Sequence, residues 1–399
     1  MSLSFGPHYL AIPGPSVMPD AVLRAMHRGS ENIYEGPLID MAETVIPDLC
    51  KVAGTAGNVA MYISNGHGMW EAALVNVSNI GDRVLNLSVG SFGRMWGQTA
   101  RDLGRAVVDL DFGNDADPDP QQIKDALRAD PQITAVLMTH VDTSSGRRCD
   151  VTQVSAIIRE LGHQAILMVD CIASMGCDRF EMDAMGADVA ITGSQKGLMT
   201  PAGMGFVFFN QRAEAAHARV APISPYWNWA PRSDATRISQ RFCGTNPAQH
   251  LHGLRTALDM ILAEGMDSVW ARHEILAKAI WAAVDHWGQE GTLAAVVREP
   301  AHRSHAVTAL TMTAPDGERL RRWCEEQAGM TLGIGLGLVP LGSFEAQGHF
   351  RLGHMGYVTA QMILGMLATI ETGLTALDIA HQRGGVLAAS QVIADHTAA

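Results

Sequence analysis

The sequence predicts an α/β fold, with a large domain on a mainly parallel sheet and a smaller α+β domain at the C-terminal end. Two patterns and one length predict it. Between residues 58 and 209, short apolar runs bounded by Gly, Asn and Asp alternate with helix-period patterns, the arrangement of strand–helix–strand units. Beyond about Gln289 that alternation gives way to a different mixture of strands and helices. At 399 residues the chain is too long for one small domain. The expected division is 16–255 for the large domain and 256–399, joined by residues 1–15, for the small one.

The elements follow in order. Leu10 to Pro15 reads as an extended lead-in with a Pro-Gly-Pro turn, and Asp20 to His27 as a short helix after Pro19. Asn58 to Ile63 is a short apolar strand. It stops at Ser64-Asn65-Gly66-His67-Gly68, after which Met69, Ala72, Ala73, Asn76 and Val77 recur at helix spacing. Gly81-Asp82 turns into a strand at Arg83 to Leu87. A loop, Gly90-Ser91-Phe92-Gly93, then precedes a helix from Arg94 to Leu103. Strands are expected at 106–110, 133–139, 165–169, 189–192 and 205–209, and helices at 118–128 and 151–161. Long helices should fill 245–263 and 269–287. Strands at 306–312 and 348–352, with helices at 317–328 and 359–377, make up the C-terminal part. The residues after about Ala380 read as weakly structured or an accessory helix.

Composition narrows the partners. With 47% hydrophobic and 18% charged residues, the chain can bury a sizeable core. A net charge of −12 argues against nucleic acid or an anionic membrane as the main partner. No apolar run approaches a membrane span, and residues 1–15 lack the features of a signal peptide. The six cysteines form no CxxC pair, the pattern of a reduced, cytoplasmic protein with scattered thiols. No metal site is expected. His250 and His252, two apart on a helix, point to different faces.

Two residues carry the chemistry. Asp170 ends an apolar strand, and a buried carboxylate there needs a cationic partner. Lys196 follows the next strand, in a turn of small residues that lets the backbone approach a flat ring. An acid that keeps a pyridine nitrogen protonated, with a lysine that forms a Schiff base, is the pair required by pyridoxal 5′-phosphate (PLP). The turn at Asn65 to Gly68 opens a helix, and its N–H groups and dipole suit a phosphate. It has neither the GxGxxG nor the Walker A spacing, which tells against NAD and ATP. Phe92, in its Gly-rich loop, suits stacking on a cofactor ring or packing beneath the loop. Arg351, in an otherwise apolar strand, offers a planar fork for a carboxylate.

On these residues the chain resembles the class V aminotransferases of PLP fold type I, and among them the alanine–glyoxylate and serine–glyoxylate enzymes. The resemblance runs from roughly Pro13 to Leu377. Its most specific pieces are Gly66 to Asn76, Val169-Asp170 through Ala173-Ser174, Gly193 to Lys196, and Arg351-Leu352-Gly353. It implies Lys196 as Schiff-base lysine and proton shuttle, and Asp170 at the pyridine nitrogen. It implies Phe92 as the stacking aromatic and Thr143 near the ring or its hydroxyl. Gly66, His67, Gly68 and Gln195 would surround the phosphate, with Thr245 reaching the phosphate of a neighbouring subunit. Arg351 would clamp the substrate carboxylate, with Asn65 and Tyr34 on the substrate side. A homodimer with shared active sites is also implied.

Three departures bear on specificity. Phe242 stands where the family often has tyrosine, and Asp142 where the segment often has glutamate. The segment Ser30 to Pro37 lacks the Asp-His-Arg pattern common in serine–glyoxylate enzymes. The last two features are similar to pyridoxamine–pyruvate transaminase, although Asn65 replaces its characteristic glutamate. The expected function is transamination between a small amino acid, such as alanine or serine, and glyoxylate or pyruvate. The alternatives are activity on free pyridoxamine, and a non-enzymatic PLP- or ligand-binding regulator.

Overall fold

The apolar runs between residues 58 and 209 assemble into one sheet. The computed structural model describes residues 2–234 and 237–397. Its strands are β1 (Tyr9–Ala11), β2 (Asn58–Ser64), β3 (Arg83–Ser88), β4 (Ala106–Asp111), β5 (Ile133–Thr139), β6 (Val141–Asp142), β7 (Arg147–Arg148), β8 (Ile166–Asp170), β9 (Val189–Gly193), β10 (Gly203–Phe209), β11 (Ala294–Ala295), β12 (Val307–Thr311), β13 (Met330–Ile334) and β14 (His349–Gly353). The first helices are α1 (Asp20–Met26), α2 (Pro37–Ala53), α3 (Gly66–Val77) and α4 (Ser91–Asp102).

The larger sheet runs β2-β10-β9-β8-β5-β3-β4. Strands β9, β8, β5, β3 and β4 are parallel, and β10 is antiparallel to both neighbours. Successive residues of a strand point to opposite faces, and both faces are covered. Val136 and Met138 join a core with α2, whereas Ala135 and Leu137 join one with α3 and α4. This two-sided burial is why the strands read as continuous apolar runs.

A second sheet, β1-β13-β14-β12-β11, packs under helices 266–287, 316–328 and 360–376 with its own core. Helix 248–264 contributes to the first core, through Leu251, Leu254 and Leu258. The terminal segment is a helix, Gly385–Thr397, packed against 266–287.

The sequence reading named no strand at 294–295 or 330–334 and no helix at 211–217, and three further elements bear on the site or its frame. Residues 90–93 are not a loop before α4, because Ser91, Phe92 and Gly93 form its first turn. Helix α2 was not expected, although Leu38, Ala42, Val45, Leu49 and Val52 are buried along one stripe. Strand β1 lies parallel to β13, with Tyr9 opposite Met330.

Candidate active site

Strands β8 and β9 are parallel neighbours, with Asp170 opposite Ile191. Asp170 therefore stands at a carboxyl end of the sheet. The chain leaving β9 folds back through a tight turn before β10. Ser194 N donates to Met204 O over 3.0 Å and Ser194 Oγ to Pro201 O over 2.6 Å. Lys196 sits in that turn.

The amino-terminal segment straps the lysine. Ser16 N donates to Gln195 O over 2.9 Å and Ser16 Oγ to Lys196 O over 2.8 Å. Lys196 Nζ donates to the carbonyl of Pro13. Gly14, at φ +103°, runs so close that a Cβ there would collide with the lysine side chain.

Both charges are unsettled by burial. Lys196 is lowered from 10.5 to about 8, first by burial and then by the nearby Arg351, with Asp170 opposing. Asp170 is raised from 3.8 to about 7 by burial. The N–H of Ile172, the indole of Trp70 and Lys196 all oppose that rise, and Asp142 adds to it. Near neutrality each group is close to gaining or losing its proton, as acid–base work requires.

Helix α3 begins at the end of β2. Asn65 is its N-cap, and its Oδ1 accepts from Gly68 N at 3.3 Å. The N–H groups of Gly66 and His67 come before any intrahelical bond. Gly66 is buried, and His67 is exposed with its ring 4.5 Å from that of Trp70. Gln195, between this turn and Lys196 in the motif order, has a buried Oε1 with no hydrogen-bond partner among the described residues.

Phe92 projects from the first turn of α4, with its ring 6.3 Å from that of Trp70. The α4 terminus is held by Asp142, which lies wholly buried at the end of β6. Asp142 accepts from Gly93 N at 2.9 Å and from Ser144 N at 3.0 Å, while Ser144 Oγ accepts from Ser91 N at 2.8 Å. Thr143, between these two anchors, is buried, and its carbonyl accepts from Arg351 Nη1 at 2.9 Å. Arg351 Nε donates to Ile334 O over 2.7 Å, and among the described residues its Nη2 has no partner. Burial lowers Arg351 to about 10.

The fold thus gathers Asp170, Lys196, Gln195, Thr143, Phe92, Arg351 and the Asn65–Gly68 turn around the strand ends. It does not bring in Tyr34 or Thr245. Tyr34 is 83% exposed, and Thr245 is exposed on the loop before helix 248–264. Sequence reasoning missed the work of Trp70, Asp142, Pro13 and Ser16. Trp70 carried a signal, since it lies one turn after Gly66 on α3. The clefts of about 500 Å³ beside Trp270 and between Ile223 and Gly244 contain neither Lys196 nor Asp170. Among the described residues no group of three His, Cys, Asp or Glu is arranged to hold a metal, and no helix is long and apolar enough to cross a membrane.

The model of the family described as aminotransferase class-V matches residues 63–363. A serine–glyoxylate aminotransferase of Arabidopsis thaliana is 33% identical, over 99% of this chain and 98% of its own. One from Methylorubrum extorquens is 34% identical, over 98% and 97%. The crystal structure of a pyridoxamine–pyruvate aminotransferase from Mesorhizobium loti superposes with a TM-score of 0.87 at 26% identity, covering 99% of both chains.

Proposed function

This chain belongs to the class V aminotransferase family, and from that premise we propose that it is a PLP-dependent enzyme. In this reading it moves an amino group from a small amino acid, serine, alanine or similar, to glyoxylate or pyruvate. The observation that carries the reading is the convergence of Lys196 and Asp170 from neighbouring parallel strands, beside the free N-terminus of α3. The residues fit the cofactor: two helix N–H groups without intrahelical partners suit a phosphate, and a buried acid lacking a full counter-charge suits a protonated pyridine nitrogen.

Bound there, PLP would supply the electron sink that makes the Cα–H of an amino acid acidic. Asp170 would hold a proton at the pyridine nitrogen. Gly66, His67, Gly68 and the Gln195 amide would hold the phosphate, with Thr245 of a second copy reaching it. Phe92 would lie against the ring and Thr143 would face it. Lys196 Nζ, already inclined to be neutral, would take the proton from the Cα of the amino acid. Arg351, whose Nη2 has no partner among the described residues, would pair with the α-carboxylate. Asn65 holds the turn that borders the substrate, and Tyr34 would serve a site in the second copy.

The assembly in this reading is a cytoplasmic homodimer. We divide each chain into a large unit from residue 16 and a small unit completed by residues 1–15. We set the division at Gly265 rather than 255, because helix 248–264 packs in the first core.

The likeness to the pyridoxamine–pyruvate enzyme supports a second reading, in which free pyridoxamine is the donor. Single half-reactions separate the two. The PLP-loaded protein is mixed with L-serine, L-alanine, L-aspartate or pyridoxamine, and its visible absorbance is followed. Loss of the band with serine or alanine, restored by glyoxylate or pyruvate, is expected. Loss with pyridoxamine alone establishes the second reading, and no response to any donor overturns both.

A further inference from the structure

Trp70 lies one turn into α3, beyond the Asn65 cap, and faces the strand ends. Its Nε1 donates to Asp170 Oδ2 over 2.8 Å. The other carboxylate oxygen, Oδ1, accepts from Ile172 N at 2.8 Å. Both side chains are buried. One donor on each oxygen fixes the plane of the carboxylate and leaves further lone pairs for a third partner.

The indole is itself locked. Trp96 stacks on it at 6.3 Å and 15°, Phe92 meets it edgewise at 6.3 Å, and His67 at 4.5 Å. Its N–H is a donor and never an acceptor. It bonds strongly to a carboxylate and cannot receive the proton of a carboxylic acid. An Asn, Gln or His in its place would do both. The contact therefore works against the burial of Asp170, whose pKa would rise further without it.

We propose that Trp70 is the positioning residue of Asp170: its indole fixes the carboxylate plane and favours the anion, so α3 governs both the phosphate turn and the acid at the opposite end of the cofactor. This rests on Asp170 being the acid at the pyridine nitrogen. The charged groups facing Asp170 are Lys196, from the turn after β9, and Asp142, from β6. His140, adjoining β5, is buried and held neutral, lowered to about 4 by burial.

The first test needs no cofactor and so stands or falls apart from the functional reading. The indole N–H resonances of the eight tryptophans are followed by NMR from about pH 5 to 9, with Asp170 and with Asp170→Asn. The His67 ring meets the indole and titrates too, so the series is run in a His67→Asn background, where one resonance should titrate with Asp170 present, hold still once Asp170→Asn is added and be missing from Trp70→Phe. Absence of a titrating indole, or one that still titrates in Asp170→Asn, overturns the proposal. The second test uses PLP-loaded Trp70→Phe. Loss of a hydrogen bond to a charged group should lower kcat by about 10- to 100-fold. KM should change little, and the acid limb of the pH profile should move to higher pH. An unmoved acid limb, with only a lower melting temperature, would reduce Trp70 to packing.

Discussion

Asp170 is held in conflict with its surroundings, and the conflict has a measurable sign. Its folded pKa, about 7, lies above the roughly 3.9 of an unfolded aspartate. The native state thus binds this proton more tightly, and its stability is lost as pH rises between those values. Asp170→Asn removes the charge but keeps a single acceptor oxygen, so one of the two donors, Trp70 Nε1 or Ile172 N, loses its acceptor at every pH. That cost is independent of pH, so relative to wild type the cofactor-free variant should gain at least about 1 kcal/mol of stability between pH 4 and pH 8. Its turnover with PLP should fall by about 100-fold or more. A difference from wild type that is the same at pH 4 and pH 8 would mean that Asp170 is not strained. The lysine gives the converse case. Arg351 lies near enough to help burial lower Lys196 to about 8. In the cofactor-free protein, the rate at which Lys196 reacts with an acylating reagent should rise with pH up to about that value and then level off. Arg351→Gln removes a repelling cation, so the midpoint should move upward. A midpoint that stays fixed would show that burial alone sets it.

Helices α3 and α4 both present their N-termini to the site, but only one of the two starts was legible in the sequence. Asn65 caps α3 locally, three residues from the N–H it accepts, so the strand-to-helix change could be seen in the residues themselves. Helix α4 has no side-chain cap of its own. Its first turn is tied by Asp142 and Ser144, which are remote in sequence, and Gly90 and Gly93 therefore read as a loop. Helix α2 is the opposite failure. Pro37 at its start, the apolar spacing of Leu38, Ala42, Val45, Leu49 and Val52, and Gly54 at its end all stand in the sequence, with Pro47 the interrupting signal. Asp142→Ala should expose the difference between the two helix starts. It strands the N–H groups of Gly93 and Ser144 in a buried place, at a cost of about 1–3 kcal/mol. Phe92 and Thr143 ride on those anchors, so KM for the amino acid should rise along with the loss of melting temperature. A lowered melting temperature with unchanged KM would separate the cap from the site.

At the scale of the whole molecule, the parts that complete the site come from far along the chain. β1 pairs with β13 in the second sheet, and the same segment goes on to strap Lys196 through Pro13 and Ser16. Arg351 leaves that sheet to meet the carbonyl of Thr143. Local patterns revealed Asp170, Lys196 and the α3 turn because each follows its own strand. They carried no record of a pairing between Tyr9 and Met330, which depends on long-range packing. Tyr34 and Thr245 extend the same logic beyond one chain, since they are exposed and outside the cluster. If two copies share their sites, each carries a Thr245 for the other. Lys196→Ala leaves a chain without its amine, and Thr245→Glu places a like charge against the phosphate of its partner. Each should be inactive alone. In a mixed dimer one site holds both lesions and the other holds neither. Random exchange of the two chains should then restore about a quarter of the wild-type activity, the share of sites expected from a closed two-fold assembly. Mixed dimers demonstrated by mass, with no activity restored, would confine the whole site to one chain and leave Thr245 a surface residue.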